Sequence, residues 1–309
     1  MLRIDRVHEL LDKKLRDHGF TVDTDLESPP EKLAEIIGDY DGLILRSRVP
    51  VNAALLDKAE KLKLIARVGS GLEGVDTAYA RQKGIAVINA PEGNRNAVGE
   101  MALGLLLALM RNIVKADREI KNGFWNRKEN TGFELEGKTV DIIGYGNTGK
   151  AFARKLAAFD TEVIFYDILP GLSDAYGRQT DYDEIFRRAD AVSLHVPLTK
   201  QTRGMVNKKF IDAFAKPVYL INTSRGEVVI TEDVADAIEK GKIRGAALDV
   251  IEYENPAFGN MNLQNMPAAF RRLAAHPGVI LTPHIAGKTY ESERKLAEVT
   301  AEKIIRFFE

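Results

Sequence analysis

The chain has 309 residues, 44 Lys+Arg against 45 Asp+Glu for a net charge of −1, and no cysteine. The charge balance offers no global attraction to nucleic acid or to an anionic membrane face, so neither is a default partner, and disulfides, thiolate nucleophiles and zinc–cysteine clusters are excluded. The length suits about two domains of ~150 residues, the 45% apolar content supplies ordinary cores, and the lack of cysteine suits a reducing cytoplasm.

The first element is an abbreviated strand, LRI, and MLRIDRVHEL has no basic segment leading into an apolar one, so no secretory signal is read. His8 and His18 flank an amphipathic helix and need no special role. Strand-like runs end near Arg46 (GLILR), Arg67 (LKLIAR) and Asn89 (IAVIN). Met101 to Met110 is the most apolar stretch; a membrane span needs roughly 20 residues, so it reads as a buried helix. From residue 139 the runs become regular, ending near Gly144 (VDIIG), Asp167 (EVIFYD), His195 (AVSLH), Asn222 (VYLIN), Asp249 (AALDV) and Thr282 (VILT). Each interval holds one strand plus a crossover helix. Six apolar strands of this kind, buried on both faces, indicate a parallel sheet with helices on each side. No Ser/Pro-rich linker appears, so a domain boundary is a compact hinge.

An open parallel sheet binds ligands beyond the carboxyl ends of its strands. Those ends carry GYGNTG, YD, HVPLT, NTSRG, LDVIEYEN and TPHIAG. Gly144-Tyr145-Gly146-Asn147-Thr148-Gly149 fits G-x-G-x-x-G between a strand and a helix. The first glycine turns tightly, the second admits a pyrophosphate, and the third lets helix and strand close up. The helix N-terminus adds N–H groups and a positive dipole end. Asp167, at the end of the next strand, is placed to accept from a ribose diol and to repel a 2′-phosphate, which favours NAD over NADP. A structural glycine turn and a P-loop are the competing readings. Gly144-x4-Gly149-Lys150 spells a P-loop, except that Ala151 stands where a magnesium-holding Ser or Thr belongs. The missing hydroxyl and Asp167 favour a dinucleotide site, and no metal site is read.

Two histidines compete as proton carrier. His284, in TPHIAG, and His195, in HVPLT, both follow a strand, and an imidazole exchanges protons near neutral pH. Position does not separate them, and a structural role suits either. His276, in AHPGV, reads as a surface residue. Arg225, in NTSRG, is permanently charged and can grip a carboxylate with two hydrogen bonds, or can simply be a solvated turn residue. Glu254, beyond Asp249 in a polar loop, can orient a histidine from its far nitrogen, or be an ordinary acid beside Glu252.

Together these segments resemble the D-isomer-specific 2-hydroxyacid dehydrogenase family: GYGNTG…YD, HVPLTKQTRGMVN, NTSRGEVV, GAALDVIEYENP and TPHIAGKT stand in the family's order. LILRSRVPV, ARVGSGLEGVD, INAPEGNRNAVGEMALGLLLAL and NGFWNRKENTGFELEGKTV are similar to its phosphoglycerate dehydrogenase branch. The resemblance implies two doubly wound parallel-sheet α/β domains, Rossmann- and flavodoxin-like, with a cleft between them. Residues 1–93 plus 284–309 would form a substrate domain, and 94–283 an inserted NAD-binding domain. The long helix from about Asn96 would belong to a homodimer interface.

Carried over motif by motif, Arg225 matches the substrate-binding arginine, Glu254 the acid that pairs with the catalytic histidine, and His284 that histidine. His195 falls on a cofactor-lining position, as do Val196, Pro197 and Thr202 of HVPLTKQT, Asn222, Thr223 and Ser224 of NTSRG, Asp249, and Gly287. Val68 and Gly69 would offer backbone groups to the substrate carboxylate. The implied reaction moves hydride between C2 of a D-2-hydroxy acid and NAD, with His284 taking the hydroxyl proton and Glu254 stabilising the imidazolium.

Arg46, Ser47, Arg48 and Arg67 cluster in segments expected to face the substrate. Extra cations suggest a second anionic group, such as the phosphate of 3-phosphoglycerate; the alternative is that they end strands as surface charges. The stretch 255–273, NPAFGNMNLQNMPAAFRRL, is longer than the family's usual one and either covers the cleft or joins an interface. One last helix ends at Glu309, so an appended regulatory domain, and feedback by serine through it, is not expected. A glyoxylate or hydroxypyruvate reductase is the rival enzyme, and a non-catalytic NAD-sensing protein the rival class.

Overall fold

A computed structural model describes residues 1–254 and 262–309; the first part of the extra stretch, 255–261, lies outside the described residues. The chain forms two compact units, Met1–Arg95 with Lys288–Glu309, and Asn96–Gly287.

In the first unit, parallel strands β1 (Leu2–Arg3), β2 (Asp23–Thr24), β3 (Gly42–Leu45), β4 (Leu64–Arg67) and β5 (Ala86–Asn89) lie in the order β2-β1-β3-β4-β5. β3 is buried along its whole length. Leu43 and Leu45 enter one core with Leu2, Ile37 and Ile65, while Ile44 enters the other with Leu11, Leu15 and Ala66. Period-two alternation therefore feeds both faces, as an all-parallel sheet requires. β2 is two exposed polar residues and carries no hydrophobic signature. The C-terminal helix Tyr290–Phe308 starts at a capping box between Thr289 and Ser292. It packs Leu296, Ala297 and Ile304 into the second of these cores.

The second unit holds β6 (Thr139–Ile143), β7 (Glu162–Tyr166), β8 (Arg178–Gln179), β9 (Ala191–Leu194), β10 (Val218–Asn222), β11 (Ile243–Leu248) and β12 (Val279–Leu281). Their order is β12-β11-β10-β9-β6-β7-β8, all parallel. Six of these strands are the runs read from the sequence; β8 is a short, polar addition at one edge. From β6 the chain winds outward through β7 and β8, then returns to β9 and winds the other way. The reversal between β6 and β9 is the switch point at which such sheets bind ligands. Val140 and Ile142 pack against Leu105, Leu106 and Leu109 of the helix Pro91–Met110, whereas Ile143 faces Ile164, Val192 and Leu220.

The chain passes between units at 95/96 and 287/288; the family resemblance implies crossings near 94 and 283. The later crossing has a local cause. The 284–286 backbone is bonded to Asp249, so the loop stays with the second sheet. No single helix among the described residues is long and apolar enough to cross a membrane.

Candidate active site

The glycine turn occupies the end of β6, at the switch point. Gly144 has φ +93°, and a Cβ there would meet the His195 carbonyl at 2.6 Å; one on Gly149 would meet the Gly144 carbonyl at 2.1 Å. Both positions admit glycine only. Around Gly146 nothing lies within 4 Å of an added Cβ. This residue caps the helix Asn147–Leu156 with no side chain of its own, and no acid stands in the first turn. Uncapped N–H groups beside open space fit a diphosphate.

Tyr145 contributes through its backbone alone. Its ring is fully buried and stacked on Phe165 at 3.6 Å, and its hydroxyl donates to Asp174 at 2.7 Å. Its N–H donates to Asp167 Oδ2 at 2.7 Å, while Oδ1 accepts from Leu169 N at 2.9 Å. The Asp167 carboxylate is thus held rigidly at the end of β7, with acceptor capacity left for a diol. A second sign of a ligand is Thr223 Oγ1, which is buried with no hydrogen-bond partner among the described residues. A polar group from a bound molecule would satisfy it. The turn, the held carboxylate and the orphaned hydroxyl together fit a dinucleotide.

Geometry separates the two histidines. The His195 ring contacts Ser193 Oγ through Nε2 at 2.8 Å and Thr148 Oγ1 through Nδ1 at 3.2 Å, and burial pushes its pKa down to about 3. That favours the neutral ring at physiological pH and makes it a weak proton acceptor. Around it, Val196 packs on Gly144, and the Thr202 hydroxyl donates to the Pro197 carbonyl at 2.6 Å, closing the HVPLT turn.

His284 is differently placed. Its backbone is left-handed, φ +55°, and its N–H donates to the carbonyls of Asp249 at 2.8 Å and Thr282 at 3.0 Å. Nδ1 lies 3.0 Å from Glu254 Oε1, with 30% and 27% of the two side chains exposed. Asp249, expected from the resemblance at the cofactor, has both oxygens occupied by protein. Oδ1 accepts from Thr282 Oγ1 (2.5 Å) and Ile285 N (3.0 Å), and Oδ2 from Ala286 N (2.8 Å). Its visible role is to hold the His284 loop.

Asn222 organises the neighbouring turn: its amide donates to Arg225 O at 2.9 Å, and its carbonyl accepts from Ser224 N (3.0 Å) and Oγ (2.7 Å). Ser224 is itself buried and spent on this turn. Gly226 then lets the turn press onto the next loop, since a Cβ there would lie 2.0 Å from the Ile251 carbonyl. Arg225, Glu254 and His284 therefore follow β10, β11 and β12, three adjacent parallel strands, on the same edge as the glycine turn. Neighbouring strands are about 4.8 Å apart. Gly287 ends the second unit. The contacts of Glu252, which accepts from Thr231 N at 3.0 Å, and of Thr282 with Asp249 were not read from the sequence; the only signal was their place inside the LDVIEYEN and TPH motifs. Among the described residues no three His, Asp or Glu side chains are grouped to hold a metal ion.

The first unit's candidates are more committed than their charges suggest. Arg48 donates to the carbonyls of Ile4 (2.7 Å), Ser28 (2.6 Å) and Asp25 (3.1 Å), which makes it a structural clamp. Arg46 pairs with Glu293 at 3.8 Å, and Arg67 Nε donates to Arg46 O at 3.2 Å. Ser47 is exposed. The Val68 and Gly69 N–H groups, offered by the resemblance to a carboxylate, already donate to Leu45 O (2.8 Å) and Arg67 O (2.9 Å). A substrate would have to displace those bonds.

Comparison with known proteins agrees with this layout. The model of the D-isomer specific 2-hydroxyacid dehydrogenase NAD-binding domain matches residues 103–286. A hydroxypyruvate reductase from Thermotoga maritima is 36% identical over 276 residues, 89% of this chain and 87% of the relative. A D-3-phosphoglycerate dehydrogenase from Methanocaldococcus jannaschii is 36% identical over 308 residues, 98% of this chain and 56% of the relative. The chain thus spans about half the length of that relative. A D-lactate dehydrogenase from Aquifex aeolicus, solved with NAD and lactic acid, superposes with a TM-score of 0.84 at 28% identity, covering 99% of this chain and 95% of the other.

Proposed function

The chain belongs to the D-isomer specific 2-hydroxyacid dehydrogenases, NAD-dependent oxidoreductases of CH–OH groups, and from that premise we propose that Arg225, Glu254 and His284 carry its reaction. The supporting observation is the 3.0 Å contact between Glu254 Oε1 and His284 Nδ1 on the sheet edge that also carries Arg225. The Arg225 guanidinium grips the substrate carboxylate with two hydrogen bonds and polarises the adjacent oxygen. Glu254 occupies Nδ1, which assigns proton exchange to Nε2. That atom takes the hydroxyl proton in oxidation and returns it in reduction. Gly146 and the following N–H groups hold the diphosphate, Asp167 the ribose, and Thr223 Oγ1 a polar group further along the cofactor. When bound, NAD supplies the hydride acceptor. Replacing His284 with Ala is expected to lower turnover about 10²–10⁴-fold while NADH affinity stays within about twofold. Undiminished turnover in that variant would reassign the base.

D-3-phosphoglycerate is the proposed substrate, supported by the charge of Arg46 and Arg67 and by the relative matched along 98% of this chain. The pairing of Arg46 with Glu293 and the full commitment of Arg48 favour a second reading, reduction of an unphosphorylated acid such as hydroxypyruvate or glyoxylate. Comparing kcat/KM for 3-phosphoglycerate, glycerate, glyoxylate, hydroxypyruvate and D-lactate decides between them. A homodimer is proposed because the helix Ile113–Lys121 buries none of its side chains, and Ile113, Ile120, Phe124 and Trp125 are exposed.

A further inference from the structure

We propose that Glu252 is a positioning residue: by capping the helix Thr231–Glu239, its carboxylate fixes the turn that presents Glu254 to His284. The inference rests on the dehydrogenase reading above. The helix begins at Thr231, and the residue before it, Ile230, has no side-chain acceptor to offer. The first-turn N–H groups of such a helix need partners from elsewhere. Thr231, 5% exposed, donates its N–H to Glu252 Oε2 at 3.0 Å. The negative charge also meets the positive end of the helix.

Glu252 and Tyr253 are the middle of a tight turn closed by Glu254 N donating to Ile251 O at 3.2 Å. The turn is held at two points, and the Tyr253 side chain between them adds a contact to Thr231. At Ile251 it is pressed against Gly226, the residue after Arg225. At Glu252 it is tied to the helix. Glu254 leaves the turn with its carboxylate 3.0 Å from His284 Nδ1. Removing the cap leaves Thr231 N–H unsatisfied in a buried place and loosens the tie between the turn and the helix, which Tyr253 alone then maintains. The expected casualty is the orientation of Glu254, with cofactor affinity spared because the glycine turn is on other strands.

Turnover of Glu252→Ala is expected to fall about 10-fold, below the 10²–10⁴-fold span of acid–base help itself, with KM and NADH affinity within about twofold. Glu252→Gln keeps an acceptor oxygen and should restore most of the loss. Thr231→Pro removes the donor at the first helical position, where proline is tolerated, and should reproduce the loss even if Glu252→Ala does not fold. In a Glu254→Ala background the further change Glu252→Ala should cost nothing. Full turnover in Glu252→Ala or Thr231→Pro, or an equal loss with and without Glu254, overturns the inference. The ring-nitrogen NMR shifts of His284, assigned by their loss in His284→Ala, report the Nδ1 contact without any turnover. If the wild type oxidises or reduces no D-2-hydroxy or 2-oxo acid, the dehydrogenase reading fails, while those shifts still test the positioning. Unchanged shifts in both Glu252→Ala and Thr231→Pro would refute it alone.

Discussion

Asp141 is an unsatisfied acid at the centre of the nucleotide-binding unit's sheet, and replacing it should stabilise the protein by an amount that grows with pH. It lies in the middle of β6, 0% exposed, and neither carboxylate oxygen finds a hydrogen-bond partner among the described residues. Its neighbours across the sheet are Ile164 of β7 and Val192 of β9, both in one apolar core. Burial pushes its pKa well above the carboxylate range, so it is held as a neutral acid. The sign follows by linkage. Above the unfolded pKa of about 3.9 the unfolded chain has released this proton and the folded chain has not. Stability therefore falls as pH rises, by up to about 1.4 kcal/mol per pH unit, until the raised folded pKa is passed. Asp141→Val removes the titration and the unsatisfied acceptors, the latter worth about 1–3 kcal/mol. At about 2–4 °C per kcal/mol for a domain of this size, the rise in Tm is readily measured. Asp141→Asn, polar but not ionisable, should flatten the pH dependence with a smaller gain. Thermal unfolding followed by circular dichroism from pH 5 to 9 checks this. Identical pH profiles for wild type and Asp141→Val, or a variant less stable at pH 8, would refute the reasoning.

Asp167→Ala should weaken NADH binding and narrow the discrimination against NADPH, because the carboxylate held by Tyr145 and Leu169 N–H groups would no longer repel a 2′-phosphate. Dissociation constants from NADH and NADPH fluorescence measure it, and equal wild-type affinity for both cofactors would contradict the assignment. Ile120→Glu combined with Trp125→Glu places charge on the exposed apolar face and should convert a dimer to monomer in light scattering. A wild type that is already monomeric would remove the basis for that interface.

The strand ends were legible because burial on both faces makes parallel strands read as apolar runs, and each run stops where polar chemistry begins. GYGNTG, NTSRG and TPH stood out for that reason. β2 and β8 were not legible, since two polar residues at a sheet edge have no pattern to read. The tie between His195 and His284 could not be broken by position. What distinguishes them is burial and the pair of hydroxyl contacts around His195, one from Ser193 on its own strand and one from Thr148 on the helix after the glycine turn. In the same way Arg48 reads as available charge in the sequence, whereas its three carbonyl partners come from distant turns.

The left-handed backbone at His284 links these levels. A non-glycine residue at φ +55° costs of order 1–3 kcal/mol, and it persists only where the surroundings over-determine it. Here they do. Asp249 accepts from Thr282 Oγ1, Ile285 N and Ala286 N, and its carbonyl accepts from His284 N. Asp249 N in turn donates to Asn222 O at 2.9 Å, and Asn222 shapes the Arg225 turn. One buried asparagine and one buried aspartate thus tie the turn that bears the guanidinium to the loop that bears the imidazole. Relaxing the backbone at 284 would turn the ring away from Glu254, so the strain and the Nδ1 contact stand or fall together.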